Sequence, residues 1–176
     1  MEGVANEAAS LAGHLRLANL CWIYDDNSIT IEGRTDLAFS EDVAQRFRGL
    51  GWHVLNVDDA NDLEALAAAY EAFRLHGDGP TLIIVRSVIG YGAPKKADTS
   101  AAHGEPLGAD EIRAAKSAYG WPEDAQFLVP PEATEHFAAT LGERGRAARE
   151  AWDELFAAYR KQHPELAAEL DLIQRR

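Results

Sequence analysis

The run from Thr81 to Val88 is nearly all apolar and β-branched, and it constrains the fold more than any other stretch of the chain. An uninterrupted apolar strand must be covered on both faces, as strands are in a parallel sheet flanked by helices. Two shorter runs of this kind precede it, Leu20 to Tyr24 and Trp52 to Val57. Helical patterns separate them. Val4, Ala8, Leu11 and Leu15 fall on one stripe of a first helix. Ser40 is placed to cap a second, with Glu41 and Asp42 at the positive end of its dipole. Val43, Phe47 and Leu50 line one face of that helix, and Gly51 stops it. Asn61 or Asp62 caps a third, in which Leu66, Tyr70 and Phe73 share a face before Gly77 and Pro80 close it. Strands alternating with such helices predict an α/β fold built on a doubly wound parallel sheet. Sheets usually carry five or six strands, and only three are legible here, so the sheet is expected to be partial.

Beyond the third strand, a Gly- and Ala-rich loop runs from Ile89 to Gly108, followed by a helix over about 110–119 that Gly120 ends. Pro130-Pro131 marks a change in composition. The remainder reads as helical, with Trp152, Leu155, Phe156 and Tyr159 on one stripe and a break at His163-Pro164. Residues 1–125 are therefore expected to form the α/β part and 126–176 a helical connector. A chain of 176 residues, 47% of them hydrophobic, can bury a core. Its formal net charge of −12 argues against a nucleic-acid partner. The one cysteine, Cys21, excludes an internal disulfide, fits a reducing cytoplasm and reads as a small buried hydrophobe. No signal peptide or membrane-spanning run is visible, so a cytoplasmic protein away from membranes is expected.

The first strand runs straight into Asp25-Asp26-Asn27-Ser28. Ligands of open parallel sheets bind beyond the carboxyl ends of the strands. Magnesium and calcium take oxygen ligands, side-chain amides and backbone carbonyls included. The same residue types also form ordinary turns. On local chemistry alone both readings stand.

The wider pattern resembles a known family. Met1 to Gly3 with Asn6 to Leu15, Ile23 to Gly33, Glu41 to Phe47, Gly51 to Val54, Ile89 to Gly92 and His103 to Gly108 are similar, in this order, to segments of transketolases. The resemblance reaches to about Pro131 and implies the second half of a thiamine diphosphate-binding domain. It implies a magnesium or calcium ion held by the Asn27 amide oxygen and the Ile29 main-chain oxygen. It implies packing of Ile31 and Ile89 around the thiamine, although plain core is nearly as ordinary a role for isoleucines. His103 would lie near the diphosphate and the substrate, and Glu2 would support activation of the aminopyrimidine ring across a dimer. Many relatives carry a second His where this chain has Ser100. The implied reaction is transfer of a two-carbon unit from a ketose phosphate to an aldose phosphate.

The family's metal-binding Gly-Asp-Gly turn would fall immediately before Met1 and is absent there. The activating glutamate, the phosphate-binding arginines and the later domains are also missing. The chain is therefore expected to hold half a site, to be inactive as a fragment, and to need a homodimer or a complementary chain. A related thiamine ketolase such as dihydroxyacetone synthase, or a non-catalytic α/β partner-binding module, are the alternatives.

Overall fold

Three strands form, β1 (Cys21–Asp26), β2 (His53–Val57) and β3 (Thr81–Arg86), all parallel and in the order β1-β3-β2. The structure is a computed structural model that describes residues 3–174. The apolar run of the sequence becomes the central strand, where Leu82 and Ile83 are 2% and 1% exposed. Thr81 pairs with both Cys21 and His53, and Val85 with both Asp25 and Val57. That register brings the three carboxyl ends to one edge of the sheet.

Alternation along each strand sends side chains to two helical layers. Helices α1 (Ala5–His14) and α2 (Val43–Gly49) cover one face, where Ala9, Ala12, Val43, Phe47, Trp52 and Leu82 form the core. Helix α3 (Leu63–Leu75) covers the other, packing Ala69 with Val57, Ile83 and Val85. The chain passes β3 to reach β2 and then steps back, and this reversal puts α2 and α3 on opposite faces. The sheet is thus a partial doubly wound one, as expected.

Four local expectations need correction. The stripe Val4, Ala8, Leu11 and Leu15 faces outward, with Val4 76% and Leu11 57% exposed. The small face of α1 goes inward instead, because the backbones approach closely: a Cβ on Gly13 would lie 1.8 Å from the Leu50 carbonyl oxygen. Trp52 Nε1–H donates to the Ala9 carbonyl at 2.8 Å in the same buried contact. The cap of α2 is Asp42 rather than Ser40, since the Asp42 carboxylate accepts from the Gln45 N–H at 2.9 Å. On α3 the buried residue is Ala69, and Tyr70 is exposed. Cys21 is half-buried, and burial pushes its thiol up.

After β3, the loop from Ile89 leads through a short 3₁₀ turn, Ser100–Ala102, to α4 (Ala109–Ala118), which ends at Gly120 in the left-handed region. The chain divides into two compact units, Met1–Asp124 and Ala125–Arg176. The second holds α5 (Pro131–Phe137), a π-helical turn (Ala138–Gly142), α6 (Glu143–Gln162) and α7 (Pro164–Gln174). The break at His163-Pro164 lets α7 fold back on α6, with Arg160 Nη2 3.0 Å from Asp171 Oδ1. Leu170 and the stripe Trp152, Leu155, Phe156 and Tyr159 line a groove between them. No helix among the described residues is long and apolar enough to cross a membrane.

Candidate functional site

The two carboxylates that end β1 are committed to the neighbouring strand. Asp25 Oδ1 accepts from the Ser87 hydroxyl, and Asp26 Oδ2 lies 3.0 Å from Arg86 Nη1. They tie the carboxyl ends of β1 and β3 together and leave the next residues to face outward. A polar cavity of about 440 Å³ opens at this edge, lined in part by Asn27, Arg34, Asp58, Arg86, Ser87 and Asp98.

Residues 27–35 close on themselves. Ser28 takes a φ of +61°, turning the chain sharply after β1. Asn27 Oδ1 accepts from the Ile29 N–H at 3.0 Å, which uses one of its two lone pairs. The Thr30 N–H donates to Gly33 O, and the Thr35 N–H to Ser28 O at 3.0 Å. These bonds frame an antiparallel bridge between Ile29 and Arg34. In such a pair the two opposed residues exchange no backbone bond with each other. The carbonyl of Ile29, a residue 7% exposed, therefore takes no part in the ladder. Among the described residues, Asn27 Oδ1 keeps a second lone pair and the Ile29 carbonyl stays outside the ladder, and both are neutral oxygen donors of the kind a hard cation accepts. These residues fit such an ion as part of a ligand set. No group of three or more His, Cys, Asp or Glu among the described residues comes together to hold a metal.

The other sequence candidates are placed as follows. Ile31 is 70% exposed, so it is not core. Ile89 is half-buried at the start of the loop after β3, and its carbonyl accepts from the Asp98 N–H at 3.0 Å. His103 is exposed immediately after the 3₁₀ turn, its N–H donating to Ser100 O at 3.0 Å. Glu2 lies outside the described residues.

Two features escaped the sequence reading. The tripeptide sought before Met1 does occur, as Gly77-Asp78-Gly79, but it leads into the amino end of β3. A six-residue strand spans about 20 Å, so Asp78 sits at the wrong edge to meet Asn27. Its partner is Arg16, 3.7 Å away. The second is Glu111 on α4, 9% exposed, whose Oε1 accepts from the N–H groups of Lys95 and Lys96 at 2.6 and 3.1 Å. It pins the loop after β3 from behind. Its sequence neighbours gave no sign of this, because the bonded amides lie 15 and 16 residues away.

Comparison with known proteins gives the family. Residues 1–176 match the family described as transketolase, thiamine diphosphate binding domain. The chain is 52% identical over 170 residues to a transketolase of Geobacillus stearothermophilus and 46% identical over 170 residues to transketolase 1 of Saccharomyces cerevisiae. These alignments cover 97% and 96% of this chain. Among solved structures, the Pichia stipitis transketolase in complex with sedoheptulose 7-phosphate superposes with a TM-score of 0.85 at 43% identity, over 97% of this chain and 25% of that one. The Leishmania mexicana transketolase gives 0.85 at 36%, over 96% of this chain and 25% of its own. The chain spans about a quarter of the length of the curated relatives it matches. By sequence and fold alike, it belongs to the transketolase family, in the region of that family's thiamine diphosphate-binding domain.

Proposed function

We propose that this chain supplies the carboxyl-edge half of a thiamine diphosphate and divalent-cation site. In the whole enzyme that site serves transfer of a two-carbon ketol unit from a ketose phosphate to an aldose phosphate. The observation that carries this reading is the Ile29 carbonyl left out of its ladder beside the half-used Asn27 amide oxygen. The bound cofactor supplies the carbanion chemistry that no side chain can. What this chain contributes is position. Asn27 and Ile29 offer neutral oxygens to the cation, Ile89 offers an apolar wall, and the exposed Ile31 offers another once a ligand or a further segment covers it. His103, on a loop end free to reach a substrate, is suited to donate to a hydroxyl or carry its proton. Glu2 is assigned to the contact across a dimer or with a complementary chain, which would also bring the carboxylate ligand and the arginines for the sugar phosphates. Residues 126–176 serve as the helical connector, in a cytoplasmic enzyme.

The Pichia stipitis relatives were solved with sedoheptulose 7-phosphate and, in a variant, with fructose 6-phosphate, which supports sugar phosphates as the substrate class. The test is a chimera in which this chain replaces the matching segment of the Geobacillus stearothermophilus relative. It should bind thiamine diphosphate and convert a xylulose and ribose phosphate pair, while the 176-residue chain alone shows no turnover. Asn27→Ala should then weaken metal-dependent binding by at least about a hundredfold. A chimera that folds and binds no cofactor would sink the reading.

A further inference from the structure

The loop after β1 and the loop after β3 meet through an ion pair. Arg34 Nη1 lies 3.4 Å from Asp98 Oδ2, between residues 64 positions apart. Each partner is joined through the backbone to a residue assigned to the cofactor site. Arg34 stands opposite Ile29 in a bridge held by the flanking Thr30 and Thr35 amides, and the Asp98 N–H is bonded directly to the Ile89 carbonyl. Asp98 also holds a φ of +56°, a conformation that Asp and Asn adopt more readily than other residues with side chains.

The loop from Ile89 to Asp98 is fixed from behind by α4. Glu111 binds two of its amides there, and the Tyr119 hydroxyl donates to the Tyr91 carbonyl. The packing is tight enough that a Cβ on Gly92 would lie 2.6 Å from the Tyr119 ring. The front of the loop meets residues 27–35 at Arg34 and Asp98, and both side chains line the polar cavity together with Asn27.

We propose that Arg34 and Asp98 are positioning residues that couple residues 27–35 to residues 89–98. The pair keeps the oxygens of Asn27 and Ile29 in one register with the wall at Ile89. This rests on the function proposed above only in treating both loops as walls of one site; the coupling belongs to the chain with nothing bound. The side chains are 50% and 55% exposed, so the pair is modest and screened by salt.

Residue-resolved amide hydrogen exchange on the full chain tests it, with β3 amides as the reference for an intact fold. Arg34→Gln should speed exchange at the Asp98 amide, and Asp98→Asn at the Thr30 and Thr35 amides, each by roughly two- to fivefold. Asn accepts the positive φ, so Asp98→Asn removes charge without new strain. The double variant should exchange no faster than either single one, Arg34→Lys should keep the cross-loop protection, and high salt should loosen only forms that retain the pair. Effects confined to each variant's own loop, or additive in the double variant, would overturn the proposal. Failure of the cofactor reading would show separately, as a folded chimera that binds no thiamine diphosphate.

Discussion

The two edges of the sheet are made of similar residues and do different work. At the amino edge, Gly13, Leu50, Gly51 and Gly79 bring backbone against backbone, and the Trp52 Nε1–H makes a buried bond to the Ala9 carbonyl. Gly77-Asp78-Gly79 has the tripeptide of a metal turn, yet its carboxylate points to Arg16 in solvent. At the carboxyl edge, Asp25 and Asp26 are tied across to β3, while Asn27, Ile29 and a polar cavity are left with unused oxygens. The difference teaches that a motif's place on the strand decides its chemistry. Substitutions in the buried contacts of the amino edge should cost stability, and those at the carboxyl edge should cost binding.

The largest effect expected is from Gly13→Ala. Its methyl group would meet the Leu50 carbonyl at 1.8 Å, a backbone atom that cannot swing aside. Destabilisation of about 3 kcal/mol is expected in urea unfolding, at the upper end for overpacking. A near-neutral result would mean that α1 packs more loosely against the end of α2 than the structure shows. Trp52→Phe should cost less, about 1–2 kcal/mol, because it deletes the buried bond to the Ala9 carbonyl but keeps an aromatic ring against Trp22 and Phe47. An unchanged midpoint would deny that bond its role.

A smaller effect is expected from pH. His53 and His76 stack with ring centroids 4.3 Å apart. Burial, and then the neighbouring His76, push the His53 imidazole below its ordinary value of 6.5. The folded state therefore binds fewer protons than the unfolded one in that window. This contribution to stability is complete above pH 6.5 and is lost as pH falls through the lowered folded value. Melting temperatures across pH 7.5 to about 5 should fall less steeply in His53→Gln than in the parent chain. Parallel curves would remove His53 from the explanation. The smallest effect is from Asp78→Asn, which should change neither melting nor metal binding measurably, since the pair with Arg16 is 70% and 84% exposed. Loss of metal affinity on that change would erase the distinction between the edges.

Much of this was legible in the sequence. The apolar strand at Thr81, the stop at Gly51 and the break at His163-Pro164 follow from local rules that nothing in the tertiary structure overrides. Helix α1 was misread because periodicity marks where apolar residues lie, not which face a close backbone contact will select. Ala9 and Ala12 go inward because of the approach of Leu50, and no pattern within the helix encodes that. The Asn27 loop was legible as a motif, but the spare valence of the Ile29 carbonyl depends on its bridge to Arg34. Glu111 and the pair of Arg34 with Asp98 join residues too distant in sequence for spacing to reveal.

The most direct test of the central claim is thermal melting with thiamine diphosphate and magnesium, on the 176-residue chain and on the same chain joined to a strand ending in a Gly-Asp-Gly turn. A ligand at a hundredfold excess over its Kd stabilises a fold by about 2.7 kcal/mol, or roughly 5 °C or more in a domain of this size. The account predicts no shift for the chain as given and a magnesium-dependent shift for the extended one. Asn27→Ala should abolish that shift, and Asp78→Asn should leave it intact. A magnesium-dependent shift already present in the 176-residue chain and lost in Asn27→Ala would contradict the half-site.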